Sequence, residues 1–247
     1  MVITSVNNEH IKEINKLKEK KYRDLTNSFI VEGEHLVLEA YKNKSIKELV
    51  ILDGNNFNLD NVDITYVNDS VMKKLSNMDS YPNVLAVCNK TINNSISNKI
   101  LILEDIQDPG NLGTIIRSAA AFGIDTIVVS PKTVDFYNHK VIRSTQGMIF
   151  NVNVIVRNLE EYIPLLKNDG YVIYGTKVDG GVDIKKVSIP SKSAFVIGNE
   201  GQGISTTISN LCDNYLYIKM DNKVESLNAG VAASIIMYEV FSKNETN

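Results

Sequence analysis

Six short apolar runs in the second part of the chain limit the folds open to it. They are "KILILED" (99–105), "DTIVVS" (125–130), "NVNVIV" (151–156), "YVIYGT" (171–176), "AFVIGN" (194–199) and "YLYIKM" (215–220). Rich in Ile and Val, they read as strands buried on both faces. Segments of helical length, 112–122, 138–148, 159–168 and 204–212, lie between most of them, and a last helix is expected over 226–243. Near-continuous apolar strands alternating with helices predict an α/β fold whose mostly parallel sheet is covered on both sides.

The first part reads as a smaller α/β unit. A basic helix over 8–22 leads into "SFIVEGEHLVLEAYKN", where the strand "FIV" runs into a helix with Leu36, Val37 and Ala40 at helical spacing. "ELVILDG", "DITYVN", "DSVMKKLSNM" and "NVLAVCN" follow, with Asp69 or Ser70 as a helix cap. Residues 89–98, "NKTINNSISN", are polar and rich in Asn and Ser, as a linker would be. The expected organisation is a small domain over 1–90, a linker over 91–98 and a larger domain over 99–247.

With 247 residues, 43% hydrophobic and 22% charged, the chain has the profile of a folded soluble protein with ample core. Its longest nearly apolar stretch, "AGVAASIIMYEVF" (229–241), is too short and too interrupted to span a bilayer. "MVITSVNNEHIKE" has no apolar signal core, so a cytoplasmic protein is expected. Cys88 and Cys212 are far apart and form no CxxC pair, which favours reduced, buried thiols over nucleophiles. His10, His35 and His139 have no metal-ligand spacing, and no metal site is expected. The net charge of −3 argues against nucleic-acid binding through bulk charge. Residues 11–23, "IKEINKLKEKKYR", nevertheless carry six basic side chains against two acidic ones. They form either a solvated helix face or a phosphate-contacting surface.

In open α/β sheets, ligands bind beyond the carboxyl ends of the strands. Three strand ends here combine small residues with polar ones: "DPGNLGTIIRSAAAFG" (108–123), "GNEGQGIS" (198–205) and "MDNKVESLNAGVAAS" (220–234). Their polar members are Asn111 and Arg117, then Asn199 and Glu200, then Ser226 and Asn228. Arg117, on an alanine-rich helix, is either an ordinary surface arginine or a functional one. The glycine loop matches neither GxGxxG nor GxxxxGK[ST], which also removes a nicotinamide dehydrogenase from consideration. No lysine follows it, and Glu200 would repel phosphate. Such a loop suits a neutral or cationic ligand. The last helix is apolar nearly all round, with Leu227, Val231, Ala232, Ile235, Ile236, Val240 and Phe241, and calls for cover from its own sheet and from a second subunit. Ser226 as an N-cap would explain one polar residue at its mouth and leave Asn228 unexplained.

Taken together, "DPGNLGTIIRSAAAFG", "VIGNEGQGIS" and "IKMDNKVESLNAGVAAS" resemble, in order and spacing, the signature motifs of the SpoU (TrmH-type) RNA ribose methyltransferases of the SPOUT class. "ITSVNNEHIKEINKLKEKKYRDLTNSFIVEGEHLV" (3–37) is similar to the substrate-binding domain of the ribosomal-RNA branch. The resemblance implies a deep trefoil knot in the parallel sheet, with S-adenosyl-L-methionine held by backbone groups of the knot loops. It places Gly198, Ile218 and Leu227 against that cofactor, with Thr176 and Met220 nearby. The family's catalytic positions fall on Asn111, Arg117, Glu200, Ser226 and Asn228. Lys12, Lys16, Lys20, Lys21, Arg23 and Arg143 become candidate RNA contacts. A homodimer through the knotted domain and 23S ribosomal RNA as substrate are implied, with transfer RNA as the alternative substrate. A catalytically idle RNA-binding assembly factor is the alternative outside enzymes. Lys219 stands where the family usually has proline, "AGV" (229–231) replaces the commoner Val-Ser-Val, and Glu9 and Thr145 replace a usual proline and serine.

Overall fold

The chain forms two units, Met1–Ile92 with Tyr137–Phe150, and Asn93–Phe136 with Asn151–Asn247. The structure is a computed structural model that describes residues 2–91, 95–178, 180–221 and 223–245. Part of the expected linker, 92–94, lies outside the described residues.

The first unit is built on β1 (Val2–Ile3), α1 (Glu9–Lys16), α2 (Lys20–Thr26), β2 (Ser28–Glu32), α3 (Glu34–Lys42), β3 (Ile46–Leu52), β4 (Asp63–Val67), α4 (Asp69–Leu75) and β5 (Val84–Asn89). Its five-stranded sheet runs β1-β4-β3-β5-β2, with β1, β4 and β3 parallel and β5 antiparallel to both neighbours. Ile11, Ile14 and Leu17 pack into one core cluster with Val50, Val71 and Leu85. Two local expectations are corrected. The helix expected over 8–22 is two helices, because buried Arg23 turns back and donates to the carbonyl oxygens of Leu17 (2.9 Å) and Lys18 (2.7 Å). Those carbonyls lie past the last turn of α1 and would otherwise lack partners. The cap of α4 is Asn68, whose side chain accepts from the Val71 amide at 3.2 Å, and not Asp69 or Ser70.

The second unit begins with β6 (Lys99–Leu103), α5 (Pro109–Ala121) and β7 (Thr126–Val129). The chain then returns to the first unit as α6 (His139–Thr145) and a 3₁₀ turn, Met148–Phe150. The sequence pattern alone assigns this segment to the larger domain. Its apolar side chains explain its actual place: Phe29, 1% exposed, has its ring centroid 4.5 Å from that of Tyr137 and 5.8 Å from that of Phe150.

The second unit continues with β8 (Asn153–Val156), α7 (Leu159–Asn168), β9 (Val172–Thr176), β10 (Val182–Asp183), β11 (Ser193–Ile197), α8 (Thr206–Ser209), β12 (Asn214–Tyr217) and α9 (Ala229–Glu245). All seven strands are parallel, in the order β10-β12-β9-β11-β6-β7-β8. The six expected strands are all present, and the two-residue β10 is added at the edge. β6 lies between β11, in register from Lys99↔Ser193 to Leu103↔Ile197, and β7. Ile100, Ile102, Val128, Ile163, Ile173 and Val196 fill one core cluster. The expected helix 204–212 shrinks to one turn. The last helix starts at Ala229 rather than 226 and buries the stripe Ala233, Ile236, Met237 and Val240, while Val231 and Tyr238 stay exposed. Its own chain therefore covers one side only. Among the described residues, no helix is long and apolar enough to cross a membrane.

Phe29→Ala should remove the packing that holds 137–150 on the first unit. A cavity of this kind costs about 3–5 kcal/mol, read as a fall in the urea midpoint followed by far-ultraviolet circular dichroism. An unchanged midpoint would show that the aromatic cluster does not hold the segment.

Candidate functional site

The three small-residue loops follow β6, β11 and β12, at the carboxyl edge of the second unit's sheet. α5 starts as its sequence dictates: the Asp108 carboxylate caps the helix by accepting from the Asn111 amide at 2.8 Å, and Pro109 follows with no amide hydrogen to satisfy. The glycine loop closes on itself. Asn199 and Gly203 exchange backbone hydrogen bonds of 3.0 and 2.9 Å. The Asn199 side-chain oxygen accepts from the amides of Gly201 (2.9 Å) and Gln202 (3.2 Å), and its Nδ2 donates to the Asp105 carbonyl at 2.8 Å. Two of the amides that a phosphate would need are thus already occupied. A Cβ on Gly198 would lie 2.1 Å from the carbonyl carbon of Gly203 and 2.2 Å from the amide nitrogen of Ile204, so only glycine permits this crossing.

One chain of hydrogen bonds ties the loops together. The Val231 amide donates to Asn228 Oδ1 (3.2 Å), Asn228 Nδ2 to Asn111 Oδ1 (2.8 Å), and Asn111 Nδ2 to Glu200 Oε1 (3.0 Å). The backbone amides of Gln107 and Asp108 donate to the same carboxylate, at 3.2 and 3.1 Å. Burial raises the pKa of the Glu200 carboxyl, but donation from Asn111 and from the amides of Asp108, Glu200 and Gln107 outweighs it and leaves the group below its ordinary value. Asn228, not Ser226, caps α9, which answers the question its position raised. Asn111, Glu200 and Asn228 are therefore brought together from three loops.

A cavity of about 480 Å³ opens beside this network. Thr176, Gly198, Ile218, Met220 and Leu227 all line it, as do Glu200 and Ser226. The size lies within the usual range for small-molecule sites. Aliphatic walls from Ile197, Leu216 and Ile218 suit the faces of a flat ring, and the Glu200 and Glu225 carboxylates suit a cationic centre. The donor set thus fits an adenosyl sulfonium and lacks the array of free amides that a diphosphate requires. Arg117 is exposed on α5 and makes no hydrogen bond or ion pair to a described residue. Sequence reasoning missed the αL conformation of Asp105 (φ 55°), whose carbonyl receives both Asn199 and the Gln107 side chain. It also missed Lys177 and Glu225, which line the cavity.

The basic candidates of the first unit divide. Lys12, Lys16 and Lys20 are engaged with Glu9, Glu13 and Asp24 at 2.6–2.7 Å, in exposed, solvent-screened pairs that an incoming phosphate could exchange. Lys21 and Arg143 are exposed. Arg23 is corrected: its buried guanidinium is committed to the carbonyls of Leu17 and Lys18 and supports the fold. Burial pushes the Cys212 thiol up to about 11, with Asp213 adding to the effect, and raises that of Cys88 further, so neither is a ready thiolate. Among the described residues, no group of three His, Cys, Asp or Glu side chains could hold a metal ion.

A model described as the SpoU rRNA Methylase family matches residues 98–238, and one described as the MRM3-like substrate binding domain matches residues 8–86. The chain is 35% identical over 243 residues to the 23S rRNA (guanosine(2553)-2'-O)-methyltransferase RlmP of Bacillus subtilis (strain 168), covering 96% of this chain and 98% of that protein. The AdoMet-bound rRNA methyltransferase from Sinorhizobium meliloti superposes with a TM-score of 0.84 at 26% identity, over 97% of this chain and 96% of that one. AviRb from Streptomyces viridochromogenes, in complex with AdoMet, superposes with a TM-score of 0.86 over 98% and 100% of the two chains. At 23% identity it is a likeness of fold.

Two outcomes check this geometry. Because the folded Glu200 carboxyl titrates below its ordinary value of 4.5, its stabilising contribution is present above that value and is lost as pH falls through the folded pKa. The melting temperatures of wild type and Glu200→Gln should therefore differ most above about pH 5 and converge in more acidic buffer. A gap that does not change with pH would remove the carboxylate's charge from the account. Gly198→Ala should cost at least about 1–3 kcal/mol, since the added carbon meets backbone rather than a movable side chain. Limited proteolysis should then cut within 198–205, and an intact loop in the variant would contradict the crossing described.

Proposed function

The chain belongs to the SpoU rRNA methylase family, and on that premise we propose that it transfers a methyl group from S-adenosyl-L-methionine to a ribose 2′-hydroxyl of 23S ribosomal RNA. The observation that carries this reading is the full-length similarity to RlmP, which spans both the methylase and the substrate-binding matches. Transfer RNA, the alternative substrate, finds less support, because the relative that is similar over the full length, RlmP, is named for 23S rRNA. The deep knot follows from family membership. A cytoplasmic location accords with an enzyme that acts on ribosomal RNA.

When bound, the cofactor supplies an electrophilic methyl on a sulfonium. Gly198, Ile218 and Leu227, which line the cavity, would hold it, with Thr176 and Met220 completing the wall. Glu200 has spent its oxygens on three N–H groups and is a poor proton acceptor. Its role is to position Asn111 and, through it, Asn228. Arg117, a guanidinium that stays charged, is likewise no base. Its exposure on α5 leaves it available to grip the phosphate next to the reacting ribose and to lower the hydroxyl's pKa. Ser226 faces the cavity as the remaining polar group of the set. The exposed helical positions Val231 and Tyr238, with the ring of Phe122 5.6 Å from that of Tyr238, support a homodimer interface along α9. Exposed Lys12, Lys20, Lys21 and Arg143, with the half-buried Lys16, supply phosphate contacts on the substrate-binding side.

Labelled methyl from S-adenosyl-L-methionine is offered to unmodified 23S ribosomal RNA and, in parallel, to transfer RNA, followed by alkaline hydrolysis. Label in alkali-resistant dinucleotides from 23S alone is the expected result, because a 2′-O-methyl blocks cleavage at its own linkage. Arg117→Lys should lower the rate by on the order of 10-fold to 100-fold. Label in transfer RNA, or none in either RNA, would overturn the substrate or the activity.

A further inference from the structure

We propose that Lys177 is the residue that meets the carboxylate of the cofactor's amino-acid tail, and so selects an adenosyl ligand that carries one. The inference rests on the reading of the 480 Å³ cavity as the cofactor site.

Lys177 is the only basic side chain among the described residues lining that cavity. It follows β9 directly, and its amide donates to the Leu216 carbonyl at 3.0 Å, so the sheet fixes its Cα. Its ammonium lies 3.5 Å from the centroid of the Tyr215 ring, a cation–π contact, and it makes no ion pair to a described residue. The ring is itself held. The Tyr215 hydroxyl is hydrogen-bonded to the Ser209 hydroxyl at 2.6 Å and donates to the Ser209 carbonyl. At Gly175 a Cβ would lie 2.8 Å from the Tyr215 ring, so the missing side chain is what lets the ring lie there. Gly175, Ser209 and Tyr215 thus form a platform that holds a cation at the cavity wall, where Ser209 is also a lining residue.

The cavity's other charged linings are Glu200, whose oxygens are occupied within the loop network, and Glu225. An adenosyl sulfonium with an amino-acid tail presents an anion as well as cations. The carboxylate needs a partner as it leaves water, and Lys177 is the cationic side chain present.

The test compares two ligands on the full-length protein by isothermal titration: S-adenosylhomocysteine, which has the carboxylate, and 5′-methylthioadenosine, which lacks the whole tail. Lys177→Met should weaken S-adenosylhomocysteine by about tenfold, the size of a lost charge-assisted hydrogen bond, and leave methylthioadenosine within about twofold. Lys177→Arg should restore most of the loss. Equal weakening of both ligands would mean that Lys177 merely supports the Tyr215 platform, and no weakening of either would mean that it faces solvent; both overturn the proposal. Wild-type protein that binds neither ligand would overturn the cofactor reading itself.

Discussion

The Glu200 carboxylate is the point on which the second unit's loops depend. A single anion gathers two backbone amides from the turn after β6 and one side-chain amide from the first turn of α5. In water a carboxylate has many such donors at little cost. At the edge of a sheet it must have them supplied, and here they come from segments distant in sequence. Removing one donor frees a lone pair, whereas removing the carboxylate frees three donors at once. That asymmetry makes the acid, rather than either asparagine, the organising member.

Around that anion the loops divide their labour. The glycine loop satisfies its own amides through Asn199 and presents bare backbone to the cavity. Asn228 caps the last helix and at the same time relays orientation to Asn111, so one side chain serves both stability and site geometry. Arg117 stands apart from this network on an exposed helical face. Fixed amides on one side and an uncommitted cation on the other suit a site whose first ligand is small and whose second is a polyanion.

Much of this is legible in the sequence. The six strands of the larger sheet can be read because burial on both faces leaves continuous Ile and Val runs, and the three strand-end loops because small residues cluster with polar ones there. β10 escaped notice because two residues beside a glycine pair carry no period. The break between α1 and α2 was hidden because it depends on where one arginine bends, and helical charge patterning is blind to that. Asn228 as the cap was hidden because Ser226 is an equally good capping residue, and only the helix start decides between them. The donors around Glu200 come from backbone groups, which no side-chain pattern can announce.

The aromatic stack on Phe29 has a consequence for how the polypeptide is born. Tyr137 and Phe150, which cover that ring, are encoded after β6, α5 and β7 of the other unit. As the chain emerges during translation, the amino-terminal sheet can assemble its strands, but its core stays open on one side until residue 150 has appeared. The two units therefore cannot mature strictly in order. A nascent chain stalled at the linker would display an uncovered phenylalanine, a natural target for chaperones, and a single protease cut near residue 92 could not release either unit whole.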